Sequence, residues 1–186
     1  ASITGNTTLC SGQNGTLTAN GGTSYMWSTG AATSTITVML TANSSYSVVV
    51  SSGSCTDTAF ASITVHPLPA AAIGGNTTIC QGQGATLTAS GGVSYQWNTG
   101  AITPSISISP ASSSTYTVTV TDVNGCTASA LSQILVNSNP GAAISGKTVL
   151  CQGDNTTLTA SGGGTYTWSN GAITSSITLT PAASSS

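Results

Sequence analysis

Very few residues in this chain of 186 could take part in proton-transfer chemistry. Apart from cysteine and tyrosine, the ionisable side chains are Lys147, His66, Asp57, Asp122 and Asp154, and glutamate is absent. Charged residues make up 2% of the sequence, where an ordinary globular protein has about 25%. General acid–base, paired-carboxylate and Ser-His-Asp catalysis all need several such side chains held together. The sequence therefore predicts a protein that is not an enzyme and has no cofactor or catalytic metal.

The composition also argues against a nucleic-acid partner and a membrane span. Binding to nucleic acid requires a basic patch that neutralises several phosphates, and this chain has one lysine and a formal net charge of −2. No run of residues approaches the roughly 18 apolar residues of a membrane-spanning helix. We therefore expect neither a nucleic-acid partner nor a membrane span.

The five cysteines are the remaining residues with distinctive chemistry. Cys10 is followed 45 residues later by Cys55, and Cys80 is followed 46 residues later by Cys126. Zinc binding is one alternative, but no cysteines and histidines lie together at ligand spacing. The matched spacing instead predicts the disulfides Cys10–Cys55 and Cys80–Cys126, each clamping one end of a domain. Cys151 is expected to be unpaired, because its partner would lie near position 197. Disulfides favour an extracellular or cell-surface location.

Internal repeats give the chain its organisation. Trp27, Trp97 and Trp168 lie 70 and 71 residues apart, and the first cysteine and a tyrosine of each segment keep the same intervals. A fixed period of this length is typical of a tandem array. The predicted units span residues 1–70, 71–141 and 142–186. The third unit is expected to be incomplete, because it lacks the residues that match the last strands of the other two.

Alternating hydrophobicity predicts β-strands throughout. The segment 114–121 reads STYTVTVT, with apolar residues on one face and hydroxyls on the other, and no stretch has helical periodicity. Six or seven short strands per unit, a Trp on the third and a Tyr opening the penultimate one, predict an all-β fold of tandem immunoglobulin-like sandwiches. The predicted core residues are Trp27, Trp97, Trp168, Tyr46 and Tyr116.

One run of residues carries a more specific resemblance. It reads C-x-G-x-x-x-T-L-T-A-x-G-G-x-x-Y-x-W-x-x-G, followed by a Ser/Thr-rich strand, by Y-x-V-x-V and by a second cysteine. This pattern resembles the Ig-like or PKD-like repeats of giant surface proteins of Bacteroidota, and the resemblance covers the whole chain. It implies export by type IX secretion and a role in adhesins, including those of gliding motility, or in stalks on secreted enzymes.

Three further features have two interpretations each. The tryptophans are either core residues or platforms for stacking sugars. Asp122 and Asn124 either form an Asn-Gly turn or donate oxygens to Ca²⁺. The segment Asp57-Thr58-Ala59 resembles the short O-glycosylation signal of Bacteroidota, which makes Thr58 a candidate glycan acceptor.

The linkers between the units complete the functional hypothesis. The linkers HPLPA and NSNPG are short and contain proline, so they should limit bending. We expect a semi-rigid stalk segment of a secreted or cell-surface adhesin or extracellular filament, whose partners are neighbouring repeats of the same protein or other protomers. The alternatives are a glycan-binding module, with surface polysaccharide as partner, and an accessory region of a secreted hydrolase.

Overall fold

The computed structural model of the chain describes residues 1–180, and these residues contain 17 β-strands and no helix. The strands of unit one are β1 (Ser2–Gly5), β2 (Thr8–Cys10), β3 (Asn14–Asn20), β4 (Ser24–Trp27), β5 (Thr35–Met39), β6 (Ser44–Ser52) and β7 (Cys55–His66). Those of unit two are β8 (Ala72–Gly75), β9 (Thr78–Cys80), β10 (Ala85–Ser90), β11 (Ser94–Trp97), β12 (Ser105–Ile108), β13 (Ser114–Thr121) and β14 (Thr127–Asn137). Those of unit three are β15 (Ala143–Ser145), β16 (Thr156–Ser161) and β17 (Ser176–Leu179).

Units one and two are sandwiches of a three-stranded and a four-stranded sheet. In unit one the strand orders are β1-β3-β5 and β2-β7-β6-β4, and in unit two they are β8-β10-β12 and β9-β14-β13-β11. The strand pairs are antiparallel except that β2 runs parallel to β7 and β9 runs parallel to β14. The prediction of an all-β fold of tandem sandwiches is confirmed.

The Trp lies on the fourth strand of each complete unit, not on the third as expected. The reason is that the first ten residues of unit one form two strands that belong to different sheets. β1 pairs with β3, whereas β2 crosses over and pairs with the end of β7. The parallel partner of β2 is a long-range contact, which the alternation of a three-residue strand does not reveal.

Each complete unit has its own apolar core. Residues that alternate along the strands point between the two sheets, and Trp27 and Trp97 lie at equivalent places with 2% exposure each. Tyr46 and Tyr116 are half-buried and pack against the same cores. The buried residues are Leu9, Leu17, Ala19, Trp27, Ile36, Val48, Val50 and Ile63 in unit one, and Ile79, Leu87, Ala89, Trp97, Ile106, Ile108, Val118, Val120 and Ile134 in unit two.

Unit three differs, and it corrects one expectation about its tryptophan. Its described residues form only the sheet β15-β16-β17. Trp168 lies outside any strand and is half-buried, and Leu158 is half-buried where its counterpart Leu87 is fully buried. In units one and two the strand bearing the Trp pairs with the Tyr-x-Val-x-Val strand. Within residues 142–180 no strand pairs with the Trp168 segment, which is itself not a strand and lines an open groove.

Candidate functional site at the junction of units one and two

The structure corrects the predicted disulfide pairing. Cys10 of unit one is bonded to Cys126 of unit two, with a Cα–Cα distance of 5.6 Å and a sequence separation of 116 residues. Cys55, Cys80 and Cys151 are free and exposed. The predicted bonds Cys10–Cys55 and Cys80–Cys126 are therefore wrong, and the bond that is present joins two consecutive units.

The long strand β7 explains why a bond within unit one does not form. Cys10 lies opposite His66, at the C-terminal end of β7. Cys55 is the first residue of the same strand, 11 residues away from His66. At about 3.3 Å per residue, the two ends of β7 are about 35 Å apart. A disulfide needs Cα atoms within about 7 Å, so Cys10 and Cys55 are at opposite ends of their unit.

A short turn fixes the backbone of Cys10 at the end of unit one where the linker leaves. The N–H of Ser11 donates to the carbonyl of His66 at 2.8 Å, and the N–H of Gln13 donates to the carbonyl of Cys10 at 2.9 Å. The side chain of Gln13 in turn accepts a hydrogen bond from the N–H of Cys10 at 3.1 Å. Gly12 has a φ of +82°, which this turn requires and which other residues rarely adopt.

The turn that carries Cys126 is held by Asp122. One oxygen of Asp122, Oδ1, accepts hydrogen bonds from the N–H of Asn124 at 2.9 Å and from the N–H of Cys126 at 2.8 Å. The carboxylate therefore caps the Asn-Gly turn. Among the described residues, no group of three or more His, Cys, Asp or Glu side chains could hold a metal ion. What Asp122 does here is orient Cys126.

The linker brings the two turns together. The N–H of Ala71 donates to the carbonyl of Pro69 at 3.0 Å, which folds the chain at the entrance to unit two. A Cβ atom on Gly91 would collide with the carbonyl oxygen of Ala70. Gly91 therefore lets the turn after β10 lie directly against the linker. Because the N–H of Val93 donates to the carbonyl of Thr121, the Cys126 turn lies at this same end of unit two.

The tryptophans of the two complete units are placed as core residues. The indole N–H of Trp27 donates to the carbonyl of Thr33 at 2.8 Å, and that of Trp97 donates to the carbonyl of Thr103 at 2.9 Å. Burial with the polar atom satisfied is typical of core Trp residues. Neither ring offers a flat face to a sugar. Trp168 instead lines an open groove of about 550 Å³ in unit three, together with Ile144, Ala160 and Tyr166.

Thr58 is exposed on β7, and glycosylation at this residue stays a prediction. Its neighbour Asp57 lies 2.7 Å from the α-amino group of Ala1. The hydrogen bond from that ammonium group, with a second from the N–H of Thr58, lowers the pKa of Asp57 from its usual value. Asp57 is therefore held beside Thr58 in its charged form, and it faces solvent.

The chemistry available at the junction is that of thiols and disulfides. Within residues 1–180 no side-chain polar group is buried without a hydrogen-bond partner. The same part of the chain has no helix with the length and apolar character needed to cross a membrane.

Sequence reasoning missed the roles of Gly91 and Asp122 at the junction. Two signals were present, namely the Gly-Gly pair after β10 and the Asn-Gly turn directly before Cys126.

Comparisons with known proteins give no family. No protein-family model and no curated protein matches the sequence. Among solved structures, the three N-terminal domains of the highly immunogenic outer capsid protein of bacteriophage RB49 are 19% identical, with a TM-score of 0.37 over 86% of this chain and 67% of that one. A Ca²⁺-stabilised adhesin of an Antarctic bacterium that binds ice is 13% identical, with a TM-score of 0.42 over 88% of this chain and 57% of that one.

A third solved structure belongs to a 1.5-MDa bacterial ice-binding adhesin. It is 13% identical, with a TM-score of 0.35 over 87% of this chain and 76% of that one. Because all three TM-scores lie below 0.5, the likeness carries no argument about activity or ligand. The assignment of an Ig-like sandwich rests on the strand order and pairing of this chain itself.

Proposed function

We propose that this chain is a structural repeat segment of a large secreted or cell-surface adhesin or extracellular filament, and that it acts as a semi-rigid stalk. The observation that carries the proposal is the Cys10–Cys126 bond between consecutive sandwiches. A bond between units does nothing for a binding pocket within one unit. It is useful to a protein whose task is to hold its units in a fixed order and orientation.

The junction restrains bending because it has two covalent connections instead of one. The first is the proline-containing linker after His66, and the second is the disulfide. Two domains joined by a single linker move relative to each other by default. A second attachment point beside the linker removes most of that freedom. Unit two therefore continues unit one as a stiff segment.

The disulfide also changes how the chain carries a pulling force. When force is applied at the two ends of the chain, the load passes from Cys10 directly to Cys126. The 116-residue separation between them is then bypassed, so most of units one and two lies outside the path of the load. The covalent path still includes β1 and β2 of unit one and β14 of unit two, so the two sandwiches resist the force only through the pairing of these strands. A stalk that holds an adhesive tip away from a cell needs this property.

The surface composition suits an exposed, inert spacer. Serine and threonine together make up 65 residues, and only 2% of the chain is charged. Hydroxyl groups keep the surface hydrated without attracting nucleic acid or charged proteins. The disulfide supports an oxidising location outside the cytoplasm. Export by type IX secretion and an origin in Bacteroidota belong to the proposal through the resemblance of the repeat motif.

Single-molecule force spectroscopy tests the stalk function on the chain itself. The chain is tethered at both ends and unfolded by force. When fully stretched, the oxidised protein should be about 400 Å shorter than the reduced protein, since 116 residues span at most about 3.3–3.6 Å each. Cys10→Ser should give the longer extension under oxidising conditions. Cys55→Ser is the matched control, because it removes a thiol and leaves the junction bond intact.

Equal extension of the oxidised and reduced wild-type chains would contradict the load-bearing role. Small-angle X-ray scattering gives a second test. The oxidised chain should have a narrower distribution of dimensions than Cys10→Ser, because only the variant bends at the linker. Equal distributions would show that the disulfide does not stiffen the junction, and the stalk proposal would then lose its main support.

A further inference from the structure

The three units hold their first cysteines in the same hydrogen-bonded turn, although only Cys10 is bonded to another cysteine. In each unit the residue three positions after the cysteine donates its N–H to the cysteine carbonyl, at 2.9, 3.0 and 3.0 Å. The side chain of that residue also accepts from the cysteine N–H, at 3.1, 3.4 and 3.3 Å. The three pairs are Cys10 with Gln13, Cys80 with Gln83, and Cys151 with Asp154.

The end of the last strand repeats as well. Cys10 lies opposite His66, and Cys80 lies opposite Asn137, the equivalent residue of unit two. The N–H after each cysteine donates to the carbonyl of that partner at 2.8 Å in both units. Cys80 therefore occupies, at the far end of unit two, the place that the bonded Cys10 occupies at the far end of unit one.

The second cysteines are equivalent in the same way. Cys55 lies opposite Ser52 in the hairpin of β6 and β7. Cys126 lies opposite Asp122, whose N–H donates to the carbonyl of Cys126 at 2.9 Å. The turn of unit two is one residue longer, yet both cysteines follow a glycine-containing turn at the same position of the ladder. Cys55 is thus the free counterpart of the bonded Cys126.

The second junction is built like the first. The N–H of Ala142 donates to the carbonyl of Pro140 at 3.0 Å, as that of Ala71 does to Pro69. A Cβ atom on Gly162 would collide with the carbonyl oxygen of Gly141, as one on Gly91 would with that of Ala70. The linker therefore enters unit three against the same turn. A complete following unit would bring its second cysteine to the Cys80 end.

We propose that the bond between Cys10 and Cys126 is one link of a repeating pattern, in which the first cysteine of each unit is bonded to the second cysteine of the unit that follows. Cys80 then bonds a following unit, and Cys55 bonds the first cysteine of a preceding unit. This inference rests on the proposed role as a segment of a longer tandem array. Its consequence is that every junction of the array is covalently locked.

Closing each link consumes one disulfide-carrying oxidant, such as oxidised glutathione or a thiol–disulfide oxidoreductase. The thiolate of one cysteine attacks the oxidant and forms a mixed disulfide with it. The thiolate of the second cysteine then displaces the other half of the oxidant. One S–S bond forms between the units, and the oxidant leaves as two thiols that carry the two protons.

The test completes unit three within the full chain. Residues 116–139 are copied after Ser186, which places a copy of Cys126 at position 197. The protein is refolded with oxidised and reduced glutathione and mapped by peptic digestion and mass spectrometry. We expect Cys80 to be joined to the copied cysteine, with thiols left at Cys55 and Cys151. In the control, the copied cysteine is replaced by serine and Cys80 should remain a thiol.

A bond between Cys151 and the copied cysteine, or a reactive Cys80 beside an intact Cys10–Cys126 bond, would overturn the proposal. A second variant decides the matter if the extended chain does not fold. It repeats residues 1–141 in tandem, so that Cys80 of the first copy meets Cys55 of the second across a native linker. Absence of that bond would also overturn the proposal. The stalk function is tested separately, since the force measurement uses only the bond between Cys10 and Cys126.

Discussion

Cys10 and Cys126 belong to different repeats and are separated by 116 residues, yet their Cα atoms lie 5.6 Å apart and their sulfur atoms are bonded. Both are buried, Cys10 with 7% exposure and Cys126 with none. The free cysteines at the equivalent positions, Cys80 and Cys55, are exposed. The junction therefore buries the two bonded cysteines as well as joining them.

The first prediction concerns the thiol count. Denatured without reductant, the oxidised chain should show three reactive thiols, at Cys55, Cys80 and Cys151. Peptic digestion at acid pH, which suppresses disulfide exchange because thiolates are protonated, should yield one linked pair of peptides, from Cys10 and Cys126. A linked pair from Cys10 and Cys55 would contradict the structure and restore the end clamp expected from spacing.

The second prediction compares two tryptophans. Trp97→Ala should destabilise unit two by roughly 3–5 kcal/mol, because it leaves a cavity among fully buried neighbours. Trp168→Ala should cost less, because Trp168 is half-buried beside an open groove. Urea denaturation followed by far-ultraviolet circular dichroism measures both. Equal losses from the two variants would mean that Trp168 is as well packed as Trp97.

The third prediction concerns the contact between Gly91 and the linker. Gly91 has a φ of +103°, and a Cβ there would collide with the carbonyl oxygen of Ala70. Gly91→Ala should therefore lose more stability than the roughly 1–2 kcal/mol expected for a left-handed alanine alone. Gly100→Ala is the matched control, since Gly100 has a φ of +86° with open space around it. Equal urea midpoints for the two variants would show that the linker leaves room for a side chain at Gly91.

The fourth prediction is that unit three is completed by a Tyr-x-Val-x-Val hairpin. Trp27 lies opposite Val48 and Trp97 lies opposite Val118, and each valine is on the first strand of such a hairpin. Copying residues 116–139 after Ser186 should therefore bury Trp168. In a Trp27→Phe, Trp97→Phe background, the fluorescence emission of Trp168 should shift to shorter wavelength, and its quenching by acrylamide should decrease. Unchanged quenching would show that this hairpin does not fill the groove.

Strands donated by a second copy of the chain are another way to pair the Trp168 segment. Sedimentation velocity distinguishes the two sources. If one chain donates strands to the next, the unextended protein should form concentration-dependent oligomers, and the extended protein should be monomeric. Monomeric behaviour of the unextended chain at high concentration would exclude the donation of strands between copies.

The sequence alone determined the repeats and the fold class. Apolar residues at every second position predict strands with one buried face, and the equal intervals between tryptophans predict equivalent units. These signals are local or periodic, so they can be interpreted without knowing which strands pair with each other. The burial of Trp27 and Trp97 follows from the same alternation, whereas the half-buried Trp168 depends on whether its partner strand is present.

Only the tertiary structure decided how the cysteines pair. The equal spacing of Cys10–Cys55 and Cys80–Cys126 is a true signal of the repeat, but equal spacing says nothing about distance in space. The parallel pairing of β2 with the end of β7 places Cys10 and Cys55 at opposite ends of one sandwich. The fold at the linker then brings Cys126 of the next unit to Cys10. A disulfide forms between the cysteines whose Cα atoms come within about 7 Å, and here those cysteines belong to different units.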